Sequence, residues 1–246
     1  MFRHKGKYRT FAHDLRLAIL LSFVAGLVNI TGVLALKTLT TNVTGHFAFF
    51  AEVIMRHDYA IAFTFFLFTI FFLLGAFLSS FLKELISLKH PDWSHIFPIT
   101  LEMVILIAVG IFGTTSGIYT FDGKLTAFFM LLSMGIQNSL VTNISRATVR
   151  TTHLTGLFTD LGIELSQLFF YKKIEEVKKL KTSIFLRLSI ISFFFLGCFS
   201  GGIIYQILEI KTLFVAAFVL FIAQWYDFLR LKFHVIKRKT FRKQSL

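Results

Sequence analysis

The sequence predicts an all-α polytopic membrane protein with six transmembrane helices in two inverted three-span repeats. Each repeat is expected to hold a short broken or re-entrant helix that starts at a Thr-Gly pair. Three observations predict this: the composition, six long apolar runs, and a motif that occurs twice. Of 246 residues, 55% are hydrophobic, 33 are Phe and 16% are charged, whereas a soluble domain carries about a quarter charged residues. Mean hydropathy is +0.73. The single cysteine, Cys198, excludes an internal disulfide framework and reads as a small buried hydrophobe inside an apolar run.

A helix needs about 17–25 residues to cross a bilayer. Runs of that length lie at Leu17–Leu36, Tyr59–Leu82, Ile96–Ile118, Leu125–Ile144, Ile184–Leu208 and Ile210–Leu229. Trp93, Tyr119, Trp225 and Tyr226 fall at run ends, where interfacial aromatics collect. The sixth run is the weakest, with Glu209 and Lys211 at one end and Asp227 at the other. The first is too long for the apolar part of a signal peptide and has no small-x-small site after it, so it is expected to remain as an anchor.

Net charge is +13, and its distribution argues for membrane orientation rather than for nucleic acid. With six crossings and a cytoplasmic N-terminus, all but four of the 26 Lys and Arg residues lie inside; the four are Lys37, Arg56, Lys124 and Lys211. That asymmetry satisfies the positive-inside rule and places both termini in the cytoplasm. A seventh crossing at 154–171 would put the basic cluster 172–181 outside, and an eighth at 46–55 would be only ten residues long. The organisation is then a basic N-terminus (1–16), repeat one (17–118), repeat two (119–229) and a basic tail (230–246), one integral membrane domain throughout.

The repeat rests on Gly26-Leu27-Val28-Asn29 and Gly135-Ile136-Gln137-Asn138, followed by Thr41-Asn42-Val43-Thr44-Gly45 and Thr152-His153-Leu154-Thr155-Gly156. Gly-interrupted segments in corresponding halves of an apolar chain are the best sequence pointer to a transporter's midplane site. Three crossings per half is an odd number, so the halves must face opposite ways. The first short helix (about 45–56) would enter from outside and the second (about 155–171) from the cytoplasm. Thr44 and Thr155 are expected to cap these helices, with Gly45 and Gly156 allowing close approach of backbone or ligand. Two helix N-termini aimed inward would favour an anionic group.

In the second short helix Asp160, Glu164 and Gln167 share one face, with Leu157, Phe158, Leu161, Leu165, Leu168 and Phe169 largely elsewhere. A helix lying on the anionic leaflet carries bases on its polar face, so this acidic stripe is expected to face protein or a water-filled cavity and to bind a cation or proton. Glu102 lies inside the third run, an expensive place for a carboxyl; a binding role and a structural ion pair with Arg187 are both open. Asn29, Gln137 and Asn138 either line the centre or join helices by hydrogen bonds. His46 and His153 flank the Thr-Gly pairs and titrate near neutral pH.

The stretch from Gly135 to Asn138, with Val149-Arg150-Thr151-Thr152-His153-Leu154-Thr155-Gly156-Leu157-Phe158-Thr159-Asp160-Leu161-Gly162-Ile163-Glu164, closely resembles the YoaK-like family of bacterial inner-membrane proteins, defined by a domain of unknown function. The first half resembles it in Ala25-Gly26-Leu27-Val28 and Thr44-Gly45, and departs at Asn29, where the family pattern has Asp, and at His46, where it has Asn. The resemblance implies a polytopic membrane protein over nearly the whole chain and no established substrate.

No His-Glu-x-x-His, Gly-x-Ser-x-Gly, phosphate loop or cysteine–histidine metal cluster occurs. No enzymatic activity, cofactor, metal or nucleic-acid partner is expected. The expectation is a small-solute transporter or channel working by alternating access, with the lipid bilayer and an unknown small solute or ion as partners and a homo-oligomer compatible with the sequence. The alternatives are a structural or lipid-interacting protein, or an intramembrane enzyme using His153 with Asp160 or Glu164.

Overall fold

The computed structural model describes residues 10–91 and 93–227. The basic residues before Thr10, the end of the sixth run and the tail 230–246 lie outside these. Among the described residues the regular elements are all helical. They are α1 (Phe11–Leu36), α2 (Val43–Met55), α3 (Tyr59–Ser87), α4 (Ile96–Phe112), α5 (Phe121–Ser145), α6 (Leu154–Gln167) and α7 (Ile174–Leu208). A 3₁₀ turn at Glu209–Thr212 leads into a last helix, α8 (213–227).

Four helical stretches are long and apolar enough to cross a membrane: Phe11–Leu36, Tyr59–Ser87, Phe121–Ser145 and the continuous run Ile174–Asp227. The outward faces of α3 and α7 carry Phe63, Phe77, Phe81, Phe195 and Phe199 exposed. Apolar surface of that extent marks a membrane protein.

Two boundaries differ from expectation. The third apolar run ends as helix at Phe112, not Ile118, because Gly113 turns extended and Thr114–Ser116 bond among themselves. At 17 residues α4 is the shortest of the long helices. The fifth and sixth runs are one helical stretch of 54 residues, about 80 Å if straight. It is not straight: Glu209 has φ 50°, and the chain doubles back there. Ile210 then lies beside Gly113 and Phe214 beside Gly110, while Gln224 donates to Thr100 Oγ1 (3.0 Å). α8 therefore runs antiparallel to α4.

The strongest packing pairs α1 with α7 and α3 with α5. Both pairs run parallel, from Phe11 beside Phe185 to Leu27 beside Gly201, and from Phe71 beside Phe128 to Gly75 beside Ile136. Glycine sets both crossings. A Cβ on Gly26 would overlap Phe194 O and one on Gly197 would overlap Phe23 O; on Gly75 it would overlap Leu132 O and on Gly135 Phe72 O. Small residues that let backbones touch are how membrane helices gain packing without a hydrophobic drive between them.

α1 and α5 also end alike. Lys37 and Arg146, 109 residues apart, each stop the helix in the left-handed region, at φ 55° and 54°. A cation there complements the negative end of the helix dipole.

Candidate functional site

Between the four paired helices lies a cavity of about 790 Å³, and both Thr-Gly segments line it. Its wall includes Asn29, Thr41, Asn42, Thr44 and Gly45 from the first half, and Asn138, Arg150, Thr152, His153 and Thr155 from the second. Phe72 and Phe194, the residues whose carbonyls the α5 and α1 glycines approach, close its sides.

The duplicated motif acts as two matching clasps. In the first half, the Thr40 N–H and the Thr41 hydroxyl donate to Asn29 Oδ1, at 3.1 and 3.0 Å. In the second, the Thr152 hydroxyl donates to Asn138 Oδ1 at 2.6 Å. Each asparagine thus ties its helix to the loop that begins the short helix, so the first threonine of Thr-x-x-Thr-Gly makes the bond.

Capping differs from expectation. The helices start at Val43 and Leu154, one residue before Thr44 and Thr155. Asn42, not a threonine, caps α2 by accepting the Gly45 N–H (3.0 Å), while α6 begins at His153 without a side-chain cap. The glycines make room for these N-cap side chains rather than for a ligand. A Cβ on Gly156 would sit 2.6 Å from the His153 ring, and one on Gly45 3.1 Å from Asn42 Nδ2.

A second pocket, about 340 Å³, adjoins the first and shares Arg150 and His153 with it. Gly156, Asp160, Ser183 and Arg187 complete its polar wall. Here the acidic stripe meets α7: Arg187 donates to Glu164 from Nε (2.9 Å) and Nη2 (3.1 Å) and to Asp160 from Nη1 (2.8 Å). Ser183 adds a bond to Glu164 at 2.6 Å. Glu164 is only 13% exposed and Arg187 23%, whereas Asp160 is half exposed at 51%. The stripe faces protein, and its charge is answered by one guanidinium in a forked geometry that suits carboxylates.

That arrangement removes Arg187 as the partner of Glu102. Glu102 is fully buried on α4, and neither of its oxygens has a hydrogen-bond partner among the described residues. It does not line the cavity. Nor does Gln137, which is buried and donates to Leu21 O of α1 at 3.0 Å, a bond between helices. His46 is buried too, its Nε2 donating to Leu39 O (2.7 Å) with its ring edge-on to Phe68. His153 lines the second pocket with Asp160, and no hydrogen bond joins the two.

Of the residues singled out in the sequence, Asn29, Thr44, Gly45, Asn138 and Thr155 come together at the cavity, and Gly156 and Asp160 line the adjoining pocket, with Glu164 bound behind them to Arg187. Sequence reasoning missed Thr41, Thr152 and Arg150. The two threonines were visible as the repeat's first position. Arg150 carried no signal beyond its place in the motif.

A family model described as "Protein of unknown function (DUF1275)" matches residues 17–225. The chain belongs to the DUF1275 family. Membership is consistent with the YoaK-like resemblance, and the match covers both clasps, the cavity and the Arg187 cluster. No curated protein and no solved structure matches this DUF1275 chain.

Proposed function

We propose that this protein is a small-solute transporter or channel of a bacterial inner membrane, with six crossings in two inverted three-span repeats. The observation that carries the reading is that both Thr-Gly segments, with the asparagines that clasp them, line one cavity. Helix direction supports the six-crossing order. That order makes α1 and α7 run one way and α3 and α5 the other, and both pairs pack in parallel. A site between two oppositely oriented repeats opens alternately to each face as one repeat rocks against the other.

The Arg187 cluster acts as the latch on the cytoplasmic side, holding α6 against α7. A proton or cation taken up by Asp160 or Glu164 competes with Arg187 and releases α6, which couples an ion to solute movement. The test places single thiols at Ala48 and Leu154, one cavity residue from each half, in a Cys198→Ala background. Membrane-impermeant thiol reagents are applied to right-side-out and inside-out vesicles. The expected result is that the two positions react from opposite faces in turn, one gaining reactivity as the other loses it when a proton gradient is imposed. Constant reaction of both from one face sinks the reading.

A lipid-interacting role has one observation in its favour. A groove of about 630 Å³ sets Lys172, Lys178 and Lys181 over Phe11, Ile174, Val177 and Phe185, a basic rim over an apolar floor of the kind that takes anionic headgroups.

A further inference from the structure

We propose that the solute held in the central cavity is a small oxyanion: a carboxylate, sulfate or phosphate. This deepens the transport reading and rests on it. Among the described residues the cavity wall contains no Asp or Glu side chain, and its ionisable side chains are Arg150 and His153. Arg150 makes no ion pair with a described residue. Of the carboxylates on the neighbouring α6, Glu164 gives both oxygens to Arg187 and Asp160 gives Oδ2.

The remaining polar groups are threonine hydroxyls, which donate or accept, and asparagine amides whose oxygens are already used. Both asparagine oxygens are consumed by the threonine clasps, so their amide nitrogens are the free ends. Asn138 Nδ2 is shielded from solvent and has no acceptor, an unfavourable state for a buried donor. α6 begins at this wall with Leu154 and Thr155 and has no side-chain cap. Its first N–H groups have no intrahelical acceptor and carry the positive end of the helix dipole. An oxyanion satisfies the guanidinium, the amide and the N-terminus together. A cation would be repelled by the Arg150 guanidinium and by the α6 N-terminus.

The test uses the full-length protein in zwitterionic phosphatidylcholine nanodiscs and follows thermal unfolding, since a ligand that binds only the folded form raises apparent stability. The probes are the sodium salts of acetate, succinate, sulfate and phosphate at matched ionic strength, with glycerol and choline as neutral and cationic controls. At least one of the four anions is expected to stabilise saturably, and neither control to do so. Arg150→Gln weakens that anion by about tenfold or more, the loss of one charge-assisted bond. Arg150→Lys retains binding. Asn138→Asp also abolishes it, yet keeps the oxygen that accepts from Thr152, so the clasp survives and lost binding is separable from lost folding. Lys89→Gln, exposed and away from the cavity, changes nothing.

Stabilisation by choline or glycerol with none by the anions overturns the assignment of charge but leaves a transported solute. Equal anion binding by Arg150→Gln overturns it too. So does stabilisation by added phosphatidylglycerol alone, which would make the bound group a lipid headgroup. Silence from every probe, combined with thiols at 48 and 154 that never exchange faces, removes the transport reading itself.

Discussion

Counting 111 residues on from Phe49 reaches Asp160, and 122 on from Phe65 reaches Arg187. The first pair is a ring contact at 5.4 Å between α2 and α3, the second an ion pair at 2.8 Å between α6 and α7. A count of 109 carries Gly26 to Gly135 and Asn29 to Asn138, and 122 carries Gly75 to Gly197, and those positions do match in structure. The two halves therefore share a frame and differ in how the short helix is fastened to it. Phe49, Phe50 and His46 press α2 onto Phe65, Phe66 and Phe68. The phenylalanine contacts among these do not answer to salt. The α6 fastening is ionic and is weakened by salt, and in the proposed transport cycle that makes the second half the side on which opening is controlled.

The sharpest way to break this comparison is to attack the frame at matched positions. Gly26→Ala and Gly135→Ala each drive a Cβ into a backbone carbonyl, of Phe194 and of Phe72. Each is expected to cost about 3 kcal/mol, at the upper end for overpacking, and the two losses of thermal stability should be equal. Unequal losses mean that the frame is not shared. Next in size is Arg187→Gln, which strands a nearly buried Glu164 and is expected to cost about 2–3 kcal/mol. It should expose α6 selectively, so that a thiol at the buried Leu161 gains reactivity in the variant. Phe65→Leu trims packing at α2 and leaves that thiol silent.

What the sequence made legible follows from the kind of physics involved. Six apolar runs and a doubled motif are patterns along the chain, and they located both short helices within a few residues and gathered Asn29, Asn138, Thr44 and Thr155 at one cavity. Partner choice is not such a pattern. Arg187 lies closer along the chain to Glu164 and Asp160 than to Glu102, but only the packing of α6 on α7 decides the pairing. The capping error has a local cause. A threonine before glycine and an asparagine or histidine two residues earlier are both acceptable helix starts, and the clasp to Asn29 or Asn138 fixes which begins the helix. The end of α4 was misjudged because the run was carried across the small polar stretch Gly113 to Gly117 to reach Ile118, although Thr and Ser hydroxyls there bond locally and end the helix.

Smaller effects sharpen the comparison within the clasps. Asn29 accepts from a backbone N–H and a hydroxyl, Asn138 from a hydroxyl alone. Alanine at 29 strands the Thr40 N–H, which cannot rotate away, whereas Thr152 can turn its hydroxyl elsewhere. Asn29→Ala is therefore expected to lower stability by about 1 kcal/mol more than Asn138→Ala, read as the difference between their denaturation midpoints. The smallest effect belongs to salt. Asp160 is half exposed, and an ion pair open to water contributes about 0–1 kcal/mol and is screened as ionic strength rises. Raising sodium chloride should increase the reactivity of a thiol at Leu161 modestly in the wild-type background, and less in Asp160→Asn, where that pair is already lost. A thiol at Phe50, held among rings, should not respond. If Phe50 and Leu161 respond alike, salt is acting on the whole bundle, and the contrast between an aromatic and an ionic fastening fails.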